Sequence, residues 1–369
     1  MAVSTRVTTD RRAGLPPGVV PIGLLVVFGG LLAAGVKSGV CDQHLSTWVR
    51  LSTTGLTLGA IYAMIALGYT MVYGVLQLLN FAHSEVFMIG SFAGLFALTK
   101  AFRVSDAKYP GGLGGIHLVY VLLGAIILAA LASGITAVSM ERVAYRPLRR
   151  AGASRLGYLI TAIGISLTLS NLFLLLDGQK HLGIPVAWPA IAGRAPVVFP
   201  DVMHRTNVFT IFGVSVQNLQ ILVIVVAVVM LLILDFFVYR TQAGKGIRAV
   251  AEDPDTAALM GVNINQIIVL TFFVGGLMAG GAGLLYGVYF TQTQFNIGFL
   301  PGIKAFTAAV LGGIGNVRGA MLGGVLLGLI ENLGVGCTGT QWQPVIAFAV
   351  LVGVLMFRPT GLLGERVGG

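Results

Sequence analysis

Charged residues are scarce in this sequence. Asp, Glu, Lys and Arg make up 10% of the 369 residues, whereas hydrophobic residues make up 56%. Soluble domains typically carry about 25% charged residues. This deficit excludes an ordinary soluble protein and predicts a polytopic membrane protein. The net charge of +10 does not indicate binding to nucleic acid, because the basic residues lie in short segments between apolar runs, where they set membrane orientation.

Motifs for catalysis and metal binding are also missing. The sequence contains no GxxxxGKS phosphate loop, no HExxH zinc motif and no GxSxG nucleophile motif. Its two cysteines, Cys41 and Cys337, lack the CxxC spacing of metal or redox sites. His117, His181 and His204 lack metal-ligand spacing. We therefore expect no enzyme activity, no cofactor and no metal. Without a phosphate loop, the chain is not expected to be an ATPase by that motif.

Long apolar runs, by contrast, are abundant. Their lengths predict an all-α fold with about ten transmembrane helices, two or three of them short. The 52 glycines favour close helix packing and interrupted helices. The transmembrane domain is predicted to extend over 19–357. The predicted spans are 19–36, 52–74, 85–100, 118–140, 157–176, 219–238, 267–290, 302–314, 319–336 and 343–357.

The basic segments predict the orientation of the chain. Ten spans place all of these segments on one side, which the positive-inside rule assigns to the cytoplasm. They are the N-terminal tail 1–18, the loops 141–155 and 240–248, Arg318 and the C-terminal tail 358–369. The long proline-rich loop 177–218 then lies outside, where a simple connection is favoured over a lid. Cys41 and Cys337 share that face and would pair only in an oxidising compartment.

Two apolar stretches are interrupted, which predicts two broken or partly spanning helices. The first is 73–94, where polar residues interrupt the run; the second is 295–320, where Pro301, Lys304 and a glycine cluster do so. A five-plus-five division of the spans places the breaks after the second and seventh spans, approached from opposite sides of the bilayer. This pattern is typical of inverted repeats whose discontinuous helices meet at a midplane site.

The polar residues of the first break are candidates for a substrate pathway, because ionisable groups at membrane depth are costly and usually functional. They are Asn80, His83, Ser84 and Glu85. On one interpretation they contact the ammonium and carboxylate groups of a zwitterion. On the other they satisfy backbone groups that the break leaves open, or lie at the cytoplasmic interface.

The second break and the ninth span add further polar residues. Asn296 and Lys304 are candidates for the pathway, although Lys304 would also be able to extend to the outer surface. Glu331 and Asn332 are expected to hydrogen-bond to neighbouring helices, with direct contact to a substrate as the alternative.

The segment GKGIRAVAEDPDTAALMGVN, 244–263, is strongly polar and punctuated like a helix. Asp253 is a predicted N-cap, Pro254 takes the first helical position, Asp255 lies in the first turn and Gly261 is a stop signal. The pattern predicts a cytoplasmic helix over about 253–261. It is either a solvated interfacial helix or a docking element for a cytoplasmic motor subunit. The predicted small face is Ala251, Ala257 and Ala258, and the predicted charged face is Arg248, Glu252, Asp253 and Asp255.

Four stretches carry a family likeness: GLTLGAIYAMIALGYTMVYGVLQLLNFAHSEVFMIGSF (55–92), ERVAYRPLRRA (141–151), the segment 244–263 and LPGIKAFTAAVLGGIGNVRGAMLGG (300–324). With them the sequence resembles the inner-membrane permeases of branched-chain amino acid importers of the ATP-binding-cassette class. The order and spacing of these stretches extend the likeness from about residue 50 to the C-terminus. Ser84 departs from the family, which commonly has glycine after the NFAH run, and its hydroxyl would narrow or rewire the pathway.

The resemblance implies a function and a set of partners. The chain would be a bacterial plasma-membrane permease with both termini in the cytoplasm, working with a second permease, two ATPases and an external binding protein. The family makes its ATPase contact in the loop that corresponds to 244–263. The cargo would be a branched-chain amino acid. The alternatives are a urea or short-amide permease of the same type, or a secondary transporter or channel, which would need no docking helix.

Overall fold

The computed structural model describes residues 44–105, 108–109, 112–178, 196–358 and 360–364, with the side chains of 175–178 left aside. The tail 1–18, the predicted span 19–36 and Cys41 lie outside the described residues. So do part of the predicted outer loop 177–218 and most of the C-terminal tail. The structure therefore does not test whether Cys41 and Cys337 pair.

The described part of the chain is mostly helical. Its helices are α1 (Leu45–Leu76), α2 (His83–Phe96), α3 (Gly115–Met140), α4 (Arg146–Arg150), α5 (Arg155–Gly178), α6 (Asn218–Arg240), α7 (Gln242–Glu252), α8 (Pro254–Leu259), α9 (Ile264–Phe290), α10 (Phe299–Gly312), α11 (Val317–Thr338) and α12 (Gln343–Phe357). One π-helical turn, Ala97–Ala101, extends α2, and another, Glu141–Tyr145, joins α3 to α4. A short 3-10 turn, Thr340–Trp342, precedes α12.

The predicted class, an all-α polytopic membrane protein, is confirmed. Every predicted span from 52–74 onward coincides with a helix. Among the described residues, seven helical segments are long and apolar enough to cross a membrane. Helix α10 has 14 residues, about 21 Å, which falls short of the roughly 30 Å hydrocarbon layer. Helix α2 also has 14 residues before the π-helical turn that extends it to Ala101. The count of about ten transmembrane helices is not confirmed; α2 and α10, which we call half-helices, are the two short helices that follow the predicted breaks.

Helices α1 and α9 form the centre of the bundle. They pack on each other, and each also packs on the half-helix and the next long helix of the other half of the chain. Helix α1 contacts α10 and α11, while α9 contacts α2 and α3. Two structural repeats produce this arrangement when the central helix of each repeat packs on helices of the other. The contacts therefore support the predicted repeat.

Glycines allow the closest helix contacts in this core. Gly324 and Gly328 of α11 face α1, and a Cβ atom on Gly328 would lie 2.4 Å from the carbonyl oxygen of Gly55. On α9, a Cβ atom on Gly276 would lie 2.8 Å from the Cα atom of Gly134 in α3. No side chain fits at such distances, so the helix backbones touch, as small residues permit in membrane bundles.

Short strands occupy the end of the bundle opposite α7 and α8. Strands β2 (Asn207–Ile211) and β3 (Val214–Gln217) form a hairpin. Its turn residues, Phe212 and Gly213, both have positive φ, which matches the twist of a tight hairpin. Strand β1 (Val197–Val198) pairs with β4 (Gln292–Thr293), which follows α9. The sequence analysis predicted only a connection in this loop and missed the strands.

Candidate translocation site and coupling surface

The first predicted break lies between α1 and α2. Helix α1 ends where Gln77 takes a left-handed conformation, with φ of 54°, and its amide donates to the carbonyl of Tyr73 at 2.7 Å. The chain then turns, and the His83 amide donates to the Asn80 carbonyl at 3.1 Å as α2 begins. The Asn80 side chain accepts a 2.8 Å hydrogen bond from the hydroxyl of Tyr145. Asn80 therefore ties the break to the segment that follows α3.

The first turn of α2 buries three polar side chains, His83, Ser84 and Glu85. Ser84 donates to the Phe81 carbonyl at 2.8 Å, which satisfies one group of the broken backbone. The hydroxyl of Ser166 on α5 donates to Oε1 of Glu85 at 3.0 Å. The second carboxylate oxygen, Oε2, is buried and has no hydrogen-bond partner among the described residues. A buried acid with an unused acceptor is a costly feature that points to function.

The second break meets the first at Ser84. Helix α9 ends at Thr291, which is left-handed with φ of 56°, as Gln77 is at the end of α1. A Cβ atom on Gly298 would lie 2.1 Å from the Ser84 carbonyl oxygen, and one on Gly302 would lie 2.5 Å from the Ser84 Cβ. The starts of α2 and α10 are thus in contact, and neither has a side-chain N-cap. The positive ends of two helix dipoles, those of α2 and α10, therefore lie next to each other.

Aromatic side chains fill the space beside this contact. The rings of Tyr69 and His83 lie 4.8 Å apart, and that of Phe306 on α10 lies 6.2 Å from Tyr69 and 5.7 Å from Phe81. A cavity next to them, lined in part by Tyr69, Asn80 and Phe306, has a volume of only about 10 Å³. That is about the space for one water molecule. An amino acid does not fit there in this conformation.

Lys304 does not extend to the outer surface, as one interpretation of the sequence suggested. It is buried and forms an ion pair with the fully buried Glu331 of α11, with the Tyr62 hydroxyl 3.4 Å from its Nζ atom. Glu331 does contact a neighbouring helix, but Asn332 donates to the Gly328 carbonyl of its own helix at 2.8 Å. The partner of Lys304 lies in another helix, and sequence spacing carries no signal for it.

Asn296 lies apart from the buried cluster of the first break. Its side chain is exposed, while its carbonyl accepts from the Phe299 amide at 3.2 Å at the start of α10. The structure therefore brings Asn80, His83, Ser84 and Glu85 together near the second break. It does not add the side chains of Asn296 and Lys304 to that cluster.

The polar segment 244–263 forms two helices, α7 and α8, where the sequence analysis described one. Asp253 ends α7 and caps α8, and its Oδ1 atom accepts from the amides of Asp255 and Thr256 at 3.0 and 3.1 Å. The Thr256 hydroxyl also donates to the other carboxylate oxygen. These hydrogen bonds, that from the Thr256 hydroxyl foremost, lower the pKa of Asp253. Gly261 has φ of 86° and stops the helix as predicted.

Two faces of this segment differ from the prediction. Arg248, Ala251 and Glu252 lie on α7, so they do not share a helix face with the residues of α8. Ala257 is buried in the core of the bundle, whereas Ala258 is exposed. The remaining predicted contact residues are exposed: Arg248, Glu252, Asp253, Pro254, Asp255 and Gly261.

Sequence reasoning missed the most exposed apolar residues of the segment. Leu259 and Met260, at the end of α8, are 88% and 80% exposed. Ala257, two residues before Leu259, is buried instead. The signal was present in the sequence, because two large apolar residues precede the stop at Gly261.

The segment is joined to the first break through the basic loop. The Nη2 atom of Arg149 contacts Oε1 of Glu141 at 3.0 Å and Oδ1 of Asn265, at the start of α9, at 2.9 Å. Glu141 and Tyr145 lie in the same π-helical turn, and Tyr145 bonds to Asn80. The side-chain hydrogen bonds of Arg149 and Tyr145, joined through this turn, therefore connect the start of α9 to the first break.

A second set of contacts joins the segment to the start of α11. The guanidinium of Arg248 on α7 lies 5.3 Å from the ring centroid of Tyr239. Arg318, which follows the turn between α10 and α11, approaches the same ring and forms an ion pair with Asp235. Sequence analysis did not identify Tyr239 as a contact of both arginines, because the three residues lie in separate helices.

Comparison with known proteins finds relatives over most of the chain. Residues 51–355 match the family described as "Branched-chain amino acid transport system / permease component". The chain is 43% identical, over 86% of its length and 96% of the relative, to "High-affinity branched-chain amino acid transport system permease protein BraD" of Pseudomonas aeruginosa. It is 40% identical, over 84% of its length and 94% of the relative, to the corresponding protein LivH of Escherichia coli K12.

Proposed function

The chain belongs to the branched-chain amino acid transport permease family, and on this premise we propose that its half-helices and α5 form one side of the translocation pathway. As a permease of an ATP-binding-cassette importer for branched-chain amino acids, it is a transport component and not an enzyme. Such a permease works with ATPase subunits, a second permease and a substrate-binding protein. No observation favours a urea or short-amide permease, a secondary transporter or a channel.

The observation that carries the pathway proposal is the contact between the two half-helices at Ser84. Helix N-termini attract anions, so the start of α2 and α10 would receive the carboxylate of the amino acid. Glu85 would receive its ammonium group, because Oε2 is the buried acceptor that no described residue uses. His83 and Asn80 would hold the shape of the break. Asn296 stays a candidate for the entrance, since it is exposed.

Lys304 fits a structural role better than direct contact with substrate. Its charge is already neutralised by Glu331 inside the bundle. The pair fastens α10 to α11, and Tyr62 adds a contact from α1. We propose that Lys304 acts on the pathway only by holding the second half-helix in position.

The second permease, a related chain or a second copy, would pack on α5. Only 11% of the apolar stretch of this helix is buried in the described part of the bundle. Thr168 and Asn171 are exposed on it, and the same helix carries Ser166, which donates to Glu85. Polar side chains on a membrane helix favour contact with protein over contact with lipid. The pathway would then lie between α5 and the partner.

ATPase subunits would bind the α7–α8 segment on the cytoplasmic side. The exposed residues Leu259 and Met260 would enter an apolar groove of the ATPase, with Asp253 and Asp255 at its rim. Movement of the segment would reach the first break through Asn265 and Arg149, and the turn between α10 and α11 through Tyr239. This orientation puts both termini of the chain in the cytoplasm of a bacterial cell, at the inner membrane.

The test is uptake by the reconstituted complex of this chain with its partners. The complex should accumulate labelled leucine when ATP is present, and it should not accumulate labelled urea. The double variant Asp253→Lys/Asp255→Lys should lose ATPase association and uptake while it still inserts in the membrane. Gln242→Lys, an added charge at the exposed start of α7, is the matched control and should behave as the unmodified chain. Normal uptake in the double variant would contradict the docking role.

A further inference from the structure

An open cavity of about 610 Å³ lies between α3 and α9, next to the α7–α8 segment, and the proposed function does not use it. One end is polar: it is lined by Arg142, Arg146, Asn263, Asn265 and Gln266. The other end is apolar and includes Val138, Val269 and Phe273. The cavity is therefore amphipathic, with its cationic end where the helices leave the membrane.

The two arginines have unused binding capacity. Neither Arg142 nor Arg146 forms an ion pair with any carboxylate in the described part of the chain, whereas Arg149 nearby is paired with Glu141. The Nε atom of Arg146 is buried and lacks a hydrogen-bond partner among those same residues. Guanidinium groups bind phosphate in a bidentate manner, and a phosphate monoanion would neutralise one of the two positive charges and accept from the open donor.

The apolar end continues onto a surface that fits hydrocarbon. Ile127, Leu131 and Ile135 of α3 are exposed and follow one another at helical spacing. The next residue on that face is Val138, which lines the cavity, and Arg142 lies one turn further. An apolar stripe thus leads directly to the arginines, which matches the order of acyl chain and headgroup in a phospholipid.

We propose that this groove binds one anionic phospholipid of the cytoplasmic leaflet. The inference rests on the orientation proposed above. The phosphate would sit between Arg142 and Arg146, with the amide side chains of α9 around it, and one acyl chain would run past Val138 and Phe273. The lipid would join the basic loop to the start of α9, beside the Arg149–Asn265 hydrogen bond. Basic pockets between membrane helices on the cytoplasmic side commonly bind such headgroups.

Other occupants fit the groove less well. A cytoplasmic ATPase would meet the arginines but not Val138 and Phe273, which lie on the membrane-embedded turns of α3 and α9. Free phosphate would leave the apolar end without a partner. A second permease would need polar contacts that the aliphatic stripe of α3 lacks, whereas α5 provides them.

The test measures lipid bound to the full-length chain purified in detergent, by native mass spectrometry with added phosphatidylglycerol or phosphatidylcholine. The unmodified chain should retain one phosphatidylglycerol in preference to phosphatidylcholine. Arg142→Gln/Arg146→Gln should weaken this binding by roughly fivefold per arginine. The matched control is Arg150→Gln, an exposed arginine of the same loop that does not line the cavity. It should retain the lipid unchanged.

A second measurement keeps the inference testable if the double variant does not fold. Phosphatidylglycerol with a photoreactive group on its acyl chain, in vesicles with the assembled transporter, should label peptides that contain Val269 and Phe273. Equal retention of both lipids, displacement by inorganic phosphate, or labelling confined to another subunit would overturn the proposal. Uptake is not part of either measurement, so failure here is distinct from failure of the proposed transport function.

Discussion

The guanidinium of Arg318 lies over the ring of Tyr239, 4.6 Å from its centroid. Arg318 also holds Asp235 through a 2.9 Å contact between Nε and Oδ1. Because Arg248 reaches the same tyrosine from α7, a single ring contacts both the polar segment 244–263 and the start of α11. A displacement of α7 would therefore act, through Tyr239, on the turn between α10 and α11.

Tyr239→Leu is expected to weaken the coupling of ATP hydrolysis to transport. The change removes both cation–π contacts, each worth about 0.5–1 kcal/mol at an exposed site. ATP hydrolysis by the reconstituted complex should continue, while leucine transported per ATP hydrolysed should fall by roughly fivefold or more. The ratio is measured with labelled leucine and a phosphate-release assay on the same proteoliposomes.

Tyr239→Phe is the matched control for this prediction. Phenylalanine keeps the ring face that the two arginines contact and loses only the hydroxyl. It should keep the ratio near that of the unmodified chain. A low ratio in both variants would assign the effect to the hydroxyl, and a normal ratio in Tyr239→Leu would remove Tyr239 from the coupling route.

Glu85→Gln should lower leucine uptake by roughly tenfold. The amide keeps the size of the side chain but loses the charge-assisted hydrogen bond to the ammonium group of the substrate, worth about 1.5 kcal/mol or more. Ser166→Ala is the control, because it removes only the 3.0 Å hydrogen bond to Oε1. Initial rates over a range of leucine concentrations measure both. Unchanged kinetics in Glu85→Gln would give Glu85 a structural role only.

Leu259→Ser/Met260→Ser should reduce ATPase association by roughly tenfold or more, since burial of each apolar side chain at the interface contributes about 1.5–3 kcal/mol. Both residues are exposed in the isolated chain, so its thermal stability should not change. Val143→Ser replaces another exposed apolar residue, in the basic loop, and serves as the control. Co-purification with the tagged ATPase is the measurement; equal recovery of all variants would exclude the two residues from the interface.

Lys304→Met should destabilise the chain by about 3–5 kcal/mol, because it leaves Glu331 charged and unpaired inside the bundle. The double variant Lys304→Met/Glu331→Leu should recover most of this loss, since no buried charge remains. Denaturation of the purified chain in detergent measures the three proteins. If the double variant also recovers uptake, Lys304 and Glu331 position the half-helix. A double variant that is stable but does not take up leucine would indicate that Lys304 contacts the substrate.

Much of this protein was predictable from local sequence. The break at 77–82 follows from Asn80, His83 and Glu85 in an apolar run, because polar groups at membrane depth are energetically costly and usually serve a function. The cap at Asp253 and the stop at Gly261 follow from their own backbone preferences. The number of full spans was less predictable, because a hydropathy window does not distinguish a half-helix from a short tilted span.

What sequence alone determined was therefore the class of the protein, its apolar helices, the two breaks and the capped polar segment, because each depends on neighbouring residues and on the solvent they must meet. Only the tertiary structure decided that Lys304 belongs to Glu331, that Ser84 meets Gly298 and Gly302, and that Tyr239 lies between two arginines. Those partners come from different helices. Contact between them depends on how closely glycine-rich surfaces let the helices approach. The distance between two helices cannot be predicted from the spacing of residues along the chain.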